Sequence, residues 1–307
     1  MPFHNIAIAG ASGFLGQKIL EHLLNIPGVT QVTVLSRSPQ PDEAAPNRLV
    51  SFISISSYKD TESLASILRG HDLLISAIAG AAAGTTDALL VEAALRAGVQ
   101  RFMPSEYTVD VLHPHSVKFA GSTILSAKIA NATNLELLAE EGTIEYTTLV
   151  TGPFLDFWFS GVVKGVVDLE ERRVMLYDGG EHQVSGCSSD FIARCVGAVI
   201  AMPDEATKNQ RIRIAETQFN GKELLSTFEE VTGEQWLGVH KTTDALVDES
   251  NQALQEGNMR GFYLGQILKL GFDGEGSCYF EEGLMHGGGS VERLALKDIV
   301  AKSIVSN

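Results

Sequence analysis

Short apolar runs alternate with longer stretches of helical period along the first half of the chain. The runs cover residues 5–9, 31–35, 50–55, 72–78, 101–104 and 145–150. Each is rich in Val, Ile, Leu or Phe and predicts a strand buried on both faces. Residues 13–24, 61–69, 85–97 and 122–141 carry helical patterns between them. Gly98 predicts the C-cap of the third, and the fourth runs from a Ser/Thr cap to Gly142. Such alternation predicts an α/β fold, a doubly wound parallel sheet with helices on both faces.

Past Gly152 the period changes. An aromatic-rich segment, GPFLDFWFSG (152–161), leads to a turn at Asp178, Gly179 and Gly180, a short strand, and a helix from Asp190. RIRIAE (211–216) predicts another strand and 220–233 another helix. The tail from Gly271 is rich in glycine and predicts loops ahead of a last helix over 290–303. The expected division is a first domain over 1–152 and a smaller α+β portion over 153–307 that exchanges a strand with it. Clefts for small molecules form at such junctions, so the smaller portion is expected to bind substrate.

Composition narrows the classes of partner. The chain has 307 residues, 44% of them hydrophobic, enough for a sizeable core. A net charge of −15 argues against a general affinity for nucleic-acid phosphates. No apolar run reaches the ~18 residues of a membrane span, and no basic-then-apolar leader opens the chain. A cytoplasmic protein acting on a small molecule is expected. Cys187, Cys195 and Cys278 are odd in number and widely spaced, which predicts reduced, buried thiols.

The first run, in NIAIAGASGFLGQKIL (5–20), stops at three glycines before a helical period begins. Gly10 permits a tight turn, Gly13 lets a pyrophosphate approach the backbone, and Gly16 lets the helix pack closely. With Ser12, Phe14 and Leu15 they form a loop whose free N–H groups and helix dipole face phosphates. This predicts a dinucleotide site. The acid that holds a ribose 2′-OH, expected about 20 residues further on, is missing. Ser36, Arg37 and Ser38 stand there, with no acid before Asp42. A guanidinium suits a 2′-phosphate by charge and geometry, so NADP(H) is expected, held by Arg37 and Ser38. Ala77 and Ile78, Ser105, and Gly152, Pro153 and Phe154 end later strands and are expected to complete the cofactor surface. A packing turn and a surface arginine are the alternatives.

Hydride transfer to a carbonyl or enone needs a proton donor beside the developing oxyanion. The Tyr-x-x-x-Lys pair of short-chain dehydrogenases is absent, since none of Tyr58, Tyr107, Tyr146, Tyr177, Tyr263 and Tyr279 has Lys four residues on. Lys128 interrupts the stripe formed by Ile124, Leu135 and Leu138. Burial there would lower its pKa and suit it as an acid. The alternative is a lysine whose stem packs while its ammonium reaches water. Glu106 and Tyr107 are candidates to orient substrate, and Phe154, Phe157 and Trp158 to wall it, unless they serve a turn and the core. DVLHPHSVK (110–118) holds two histidines, but Pro114 predicts a polar loop there, and no metal site is expected.

Together GASGFLG, LSRS, FMPSEY, the helix of Lys128 and YTTLVTGPFLDF resemble the NmrA-like / isoflavone reductase-like branch of atypical short-chain dehydrogenases, in its fungal-like subset. The resemblance covers 5–159 and, more loosely, extends to Val239. It implies a Rossmann-type domain and a lysine that contacts cofactor and assists proton delivery. Lys128, with Asn134 and Leu135, matches the family spacing K-x-x-x-x-x-[YN]-L. The implied activity is NADPH-dependent reduction of a C=C, C=O or benzylic ether bond in an apolar molecule of secondary metabolism. Two other family outcomes stay open: a non-redox isomerase, dehydratase or cyclase, and a dinucleotide-sensing regulator with a protein partner.

Overall fold

A computed structural model describes residues 3–37, 49–121, 123–281 and 291–305. The strands are β1 (Asn5–Ala9), β2 (Gln31–Ser36), β3 (Val50–Ser54), β4 (Leu73–Ser76), β5 (Arg101–Met103), β6 (Glu145–Val150), β7 (Val167–Asp168), β8 (Arg173–Tyr177), β9 (Val184–Gly186), β10 (Gln210–Arg213), β11 (Thr217–Phe219) and β12 (Leu237–Lys241). The helices are α1 (Phe14–Leu23), α2 (Thr61–Leu68), α3 (Ala83–Ala97), α4 (Pro114–Ala120), α5 (Ser126–Glu140), α6 (Leu155–Trp158), α7 (Ser189–Ala201), α8 (Asp204–Thr207), α9 (Gly221–Thr232), α10 (Thr243–Gln255), α11 (Met259–Phe272) and α12 (Leu296–Val305).

Seven strands form one parallel sheet in the order β3-β2-β1-β4-β5-β6-β10. This is the doubly wound, Rossmann-type arrangement, whose order reverses between β1 and β4. Alternation along β1 shows how both faces are covered. Ile6 and Ile8 join a core with Ile19 of α1 and Ile192 and Val196 of α7. Ala7 and Ala9 join the opposite core with Leu64 of α2, Leu90 of α3 and Leu135 of α5. The chain leaves the sheet after Val150 and returns as β10, which pairs with β6 from Gln210↔Thr147 to Arg213↔Val150. Between and after these crossings, β7, β8 and β12 form a small sheet and β9 pairs with β11. They pack with α9, α10 and α11 around a separate core centred on Phe159, Tyr177, Phe219 and Phe228.

Local rules explain most helix ends. Gly98 ends α3 at φ 74°, and Gly233 ends α9 at φ 69°, where a side chain would be strained. Asn220 and Glu223 form a reciprocal capping box at the start of α9. The last helix, expected over 290–303, runs over Leu296–Val305, and two further expectations need correction. The polar loop predicted at Pro114 is helical: Pro114 stands at the first position of α4, where its missing N–H costs nothing, and His113 caps it. The helix carrying Lys128 begins at Ser126 with no side-chain cap, four residues later than expected, and Ser122 lies outside the described residues. Two helices that the period did not predict, α10 and α11, occupy 243–272.

Candidate active site

The loop after β1 crosses the sheet at the point of reversal, where a crevice opens beyond the carboxyl ends of the strands. Gly10 adopts φ +84°, and a Cβ there would lie 2.6 Å from the Ala77 carbonyl oxygen that follows β4. A Cβ on Gly16 would lie 2.1 Å from the Gly10 carbonyl oxygen. The third glycine therefore makes room for the first, and the loop folds flat against the next strand. Gly13 precedes α1 in extended conformation, and its N–H donates to Gly10 O at 3.0 Å. No side chain caps α1 and no acid stands in its first turn. The N–H groups of that turn present a positive end to the crevice.

Beside this loop lies a cavity of about 180 Å³. It is lined by Phe14, Leu15, Ala77, Ile78, Ser105, Glu106, Tyr107, Lys128 and Phe154, and also by Ala79, Gly80, Thr108 and Tyr263. Residues far apart in sequence meet here because β1, β4, β5 and β6 end at one edge. Phe14 is 52% exposed and joins the cavity to a larger one of about 560 Å³. Phe154 stacks on the Phe14 ring at 6.5 Å, and Phe157 tilts against it at 6.3 Å. Phe157 lines the larger cavity with Lys18, Val162 and Ile299.

Lys128 occupies the cavity wall on α5. Its Nζ donates to the carbonyl oxygens of Ser105 and, at 3.0 Å, of Glu106. Burial lowers the ammonium's pKa, and the charges of Asp87 and Glu106 oppose that. The Glu106 carboxylate points the other way. Arg211 on β10 grips both of its oxygens, with Nη1 to Oε2 at 3.0 Å, and also donates to Asp110 at 3.0 Å. Burial raises the Glu106 carboxyl while Arg211 pulls it down. Glu106 thus offers a backbone carbonyl to Lys128 and its charge to Arg211.

The other candidates fall in three places. Arg37 follows β2 directly and is exposed, with its guanidinium 5.8 Å from the centre of the Tyr58 ring. Ser12 lines a separate cavity of about 220 Å³ with Ser36, between loop and strand, and Ser38 lies outside the described residues. Gly152 and Pro153 do not line the cavity that Lys128 walls. They join β6 to β9: Gly152 has φ +65° with Ser185 O 2.0 Å from a would-be Cβ, and Pro153 O accepts the Cys187 N–H at 3.1 Å. Trp158 is 4% exposed and stacks on Phe272 at 5.4 Å in the core around Phe159 and Tyr177. The helical turn of α6 divides neighbouring aromatics, turning Phe157 outward and Trp158 inward. His113 is spent on its cap and His115 on Asp273 at 2.7 Å.

Sequence reasoning missed Asp87, Arg211 and Tyr263. A signal existed for Asp87, an acid on the buried stripe of α3 with Ala83, Leu90, Val91 and Ala94. None existed for Arg211, whose partner is 105 residues away.

The family model described as the NmrA-like family matches residues 3–248. The chain belongs to this family. Among its relatives, this NmrA-like chain is 26% identical to Oxidoreductase poxI of Penicillium oxalicum over 71% of its own length and 68% of that protein's. It is 27% identical to Isoflavone reductase homolog IRL of Zea mays over 81% of each chain. The NmrA-like fold extends through solved structures: the leucoanthocyanidin reductase–NADPH complex of Vitis vinifera superposes with a TM-score of 0.78 over 98% of this chain and 99% of that one, at 18% identity. No helix among the described residues is long and apolar enough to cross a membrane.

Proposed function

We propose that this NmrA-like protein is an NADPH-dependent reductase of a mostly apolar small molecule, acting on a C=C, C=O or benzylic ether bond. The observation that carries the reading is the Lys128 ammonium, held by two carbonyls at the wall of a cavity that adjoins the glycine loop. The loop fits a dinucleotide. Side chains at Gly10 and Gly16 would collide with backbone, and the uncapped start of α1 favours an anion. Gly10, Ser12, Gly13, Phe14, Leu15 and Gly16 would hold the diphosphate, and Arg37 with Ser38 the 2′-phosphate. Names of relatives, oxidoreductase and reductase among them, support the same class.

NADPH, when bound, supplies a hydride. The chain does the rest. Phe14, Phe154 and Phe157 offer aromatic faces to an apolar substrate and exclude water from it. Lys128 Nζ holds a proton within reach of a substrate oxygen in the cavity and gives it up as negative charge develops there. The carbonyls of Ser105 and Glu106 fix the ammonium, so its direction needs no reorganisation. The reading extends to secondary metabolism and to a cytoplasmic setting, which three buried, free thiols support.

The test is anaerobic incubation with NADPH and a panel of conjugated ketones and benzylic ethers. Loss of reduced-nicotinamide absorbance with stoichiometric product is expected. Product without NADPH consumption would replace this reading with an isomerase. Arg37→Ser is expected to weaken NADPH binding about 10- to 100-fold, the scale of one charge-assisted hydrogen bond. NADH binding should barely change. Calorimetric titration with both nucleotides checks this, and equal losses would contradict the role of Arg37.

A further inference from the structure

Under the cavity lies a carboxyl that the reading above does not use. Asp87 is 2% exposed in the second turn of α3. Its Oδ2 accepts the Ser105 N–H at 2.7 Å. The carbonyl of the same residue accepts Lys128 Nζ, while Ser105 Oγ is engaged by Ile78 O at 2.8 Å. Asp87 and Lys128 therefore hold Ser105 from its two sides. The second oxygen of Asp87 is buried and meets no hydrogen-bond geometry among the described residues, although the Ser76 hydroxyl lies near enough to act on the carboxyl; the Tyr107 hydroxyl is likewise buried without a partner among them. Anchoring a loop needs one acceptor, which Asn would supply equally well. A full carboxyl is the costlier choice at a buried site, and the difference between the two is charge.

Lys128 feels two acids, Asp87 from α3 and Glu106 from the loop after β5. Glu106 is already matched by Arg211 of β10. Asp87 makes no ion pair within 4 Å among the described residues. The groups that act on it are Ser76 from β4, Lys128 from α5, and Ser105 and Glu106 from the loop, and Tyr107 feels its charge in turn. Burial pushes the Asp87 carboxyl up to about 6, against the pull of Ser76 and Lys128. At neutral pH it is ionised, and its uncompensated charge falls on Lys128.

We propose that Asp87 is the positioning residue of Lys128: it fixes the Ser105 backbone from which the ammonium hangs and supplies the negative charge that keeps Nζ protonated. Each turnover takes one proton from Nζ to substrate and returns one from solvent. The Asp87 charge favours the return. This rests on Lys128 as proton donor.

Asp87→Asn keeps an acceptor for Ser105 N–H and removes only the charge. Its NADPH affinity, by calorimetry, is expected to stay within about twofold. The alkaline limb of its kcat/KM profile should move to lower pH, each unit lowering the rate on that limb about tenfold. A limb coincident with that of the unmodified chain overturns the proposal. A second measurement needs no variant. With lysine labelled at the ε-carbon, the NMR resonance assigned to Lys128, identified by its loss in Lys128→Met, should inflect near pH 6 as Asp87 ionises. A flat response between pH 5 and 7 overturns the proposal whatever the activity. Undiminished turnover in Lys128→Met instead removes the donor role itself, so the two failures are distinguishable.

Discussion

Lys128→Met should lower kcat for NADPH-dependent turnover about 10²- to 10⁴-fold, the range expected when a positioned proton donor is lost. NADPH affinity should fall far less, because the glycine loop and Arg37 are untouched. Met keeps an unbranched stem of similar length and removes the ammonium. The carbonyls of Ser105 and Glu106 then lose their shared donor, at a stability cost of about 1–3 kcal/mol. Asp87 loses the pull of the Lys128 charge, which raises its carboxyl further. Single-turnover rates with saturating NADPH measure the chemical effect, and urea melts measure the structural one. A rate loss explained wholly by weaker NADPH binding would remove Lys128 from proton delivery.

Arg211→Met should destabilise the fold by about 3–5 kcal/mol, the scale for leaving a buried carboxylate without its partner. Glu106 is 4% exposed and Arg211 holds both of its oxygens. The sign of the pH dependence follows from Glu106. Without Arg211 its folded-state pKa rises further above the unfolded value. The cost is therefore incurred above the unfolded carboxylate pKa of about 4.3 and disappears as pH falls toward it, because the neutral acid tolerates burial. Urea midpoints for variant and parent should differ most at pH 8 and converge near pH 4. A constant difference would mean that packing of the guanidinium, not charge, accounts for the loss. Turnover should fall as well, since the Glu106 carbonyl that directs Lys128 belongs to the residue Arg211 anchors.

These two residues show where the chain could and could not be read in advance. Lys128 was singled out by two local signs, its place in the row of Ile124, Leu135 and Leu138 and its match to the family spacing, although α5 begins at Ser126 and leaves Ile124 outside it. Arg211 was not, since it stands in a strand whose neighbour in the sheet is more than sixty residues earlier, and nothing near it marks Glu106 as its partner. Trp158 and Phe157 make the same point at closer range. Both belong to one aromatic segment, yet one helical turn places Phe157 beside Phe14 and Trp158 against Phe272.

By itself the sequence determined the features that depend on neighbours along the chain: the alternation that makes a parallel sheet, the left-handed turns that favour glycine at Gly10 and Gly98, the capping box at Asn220, and the three-glycine loop between β1 and α1. Steric and hydrogen-bond rules acting over a few residues decide these. The tertiary structure alone decided which charges share the interior. Bringing β10 back beside β6 set Arg211 on Glu106, and packing α3 against α5 set Asp87 beneath Lys128. A buried charge is stable only with partners, and those partners are set by how elements pack, not by their separation in sequence.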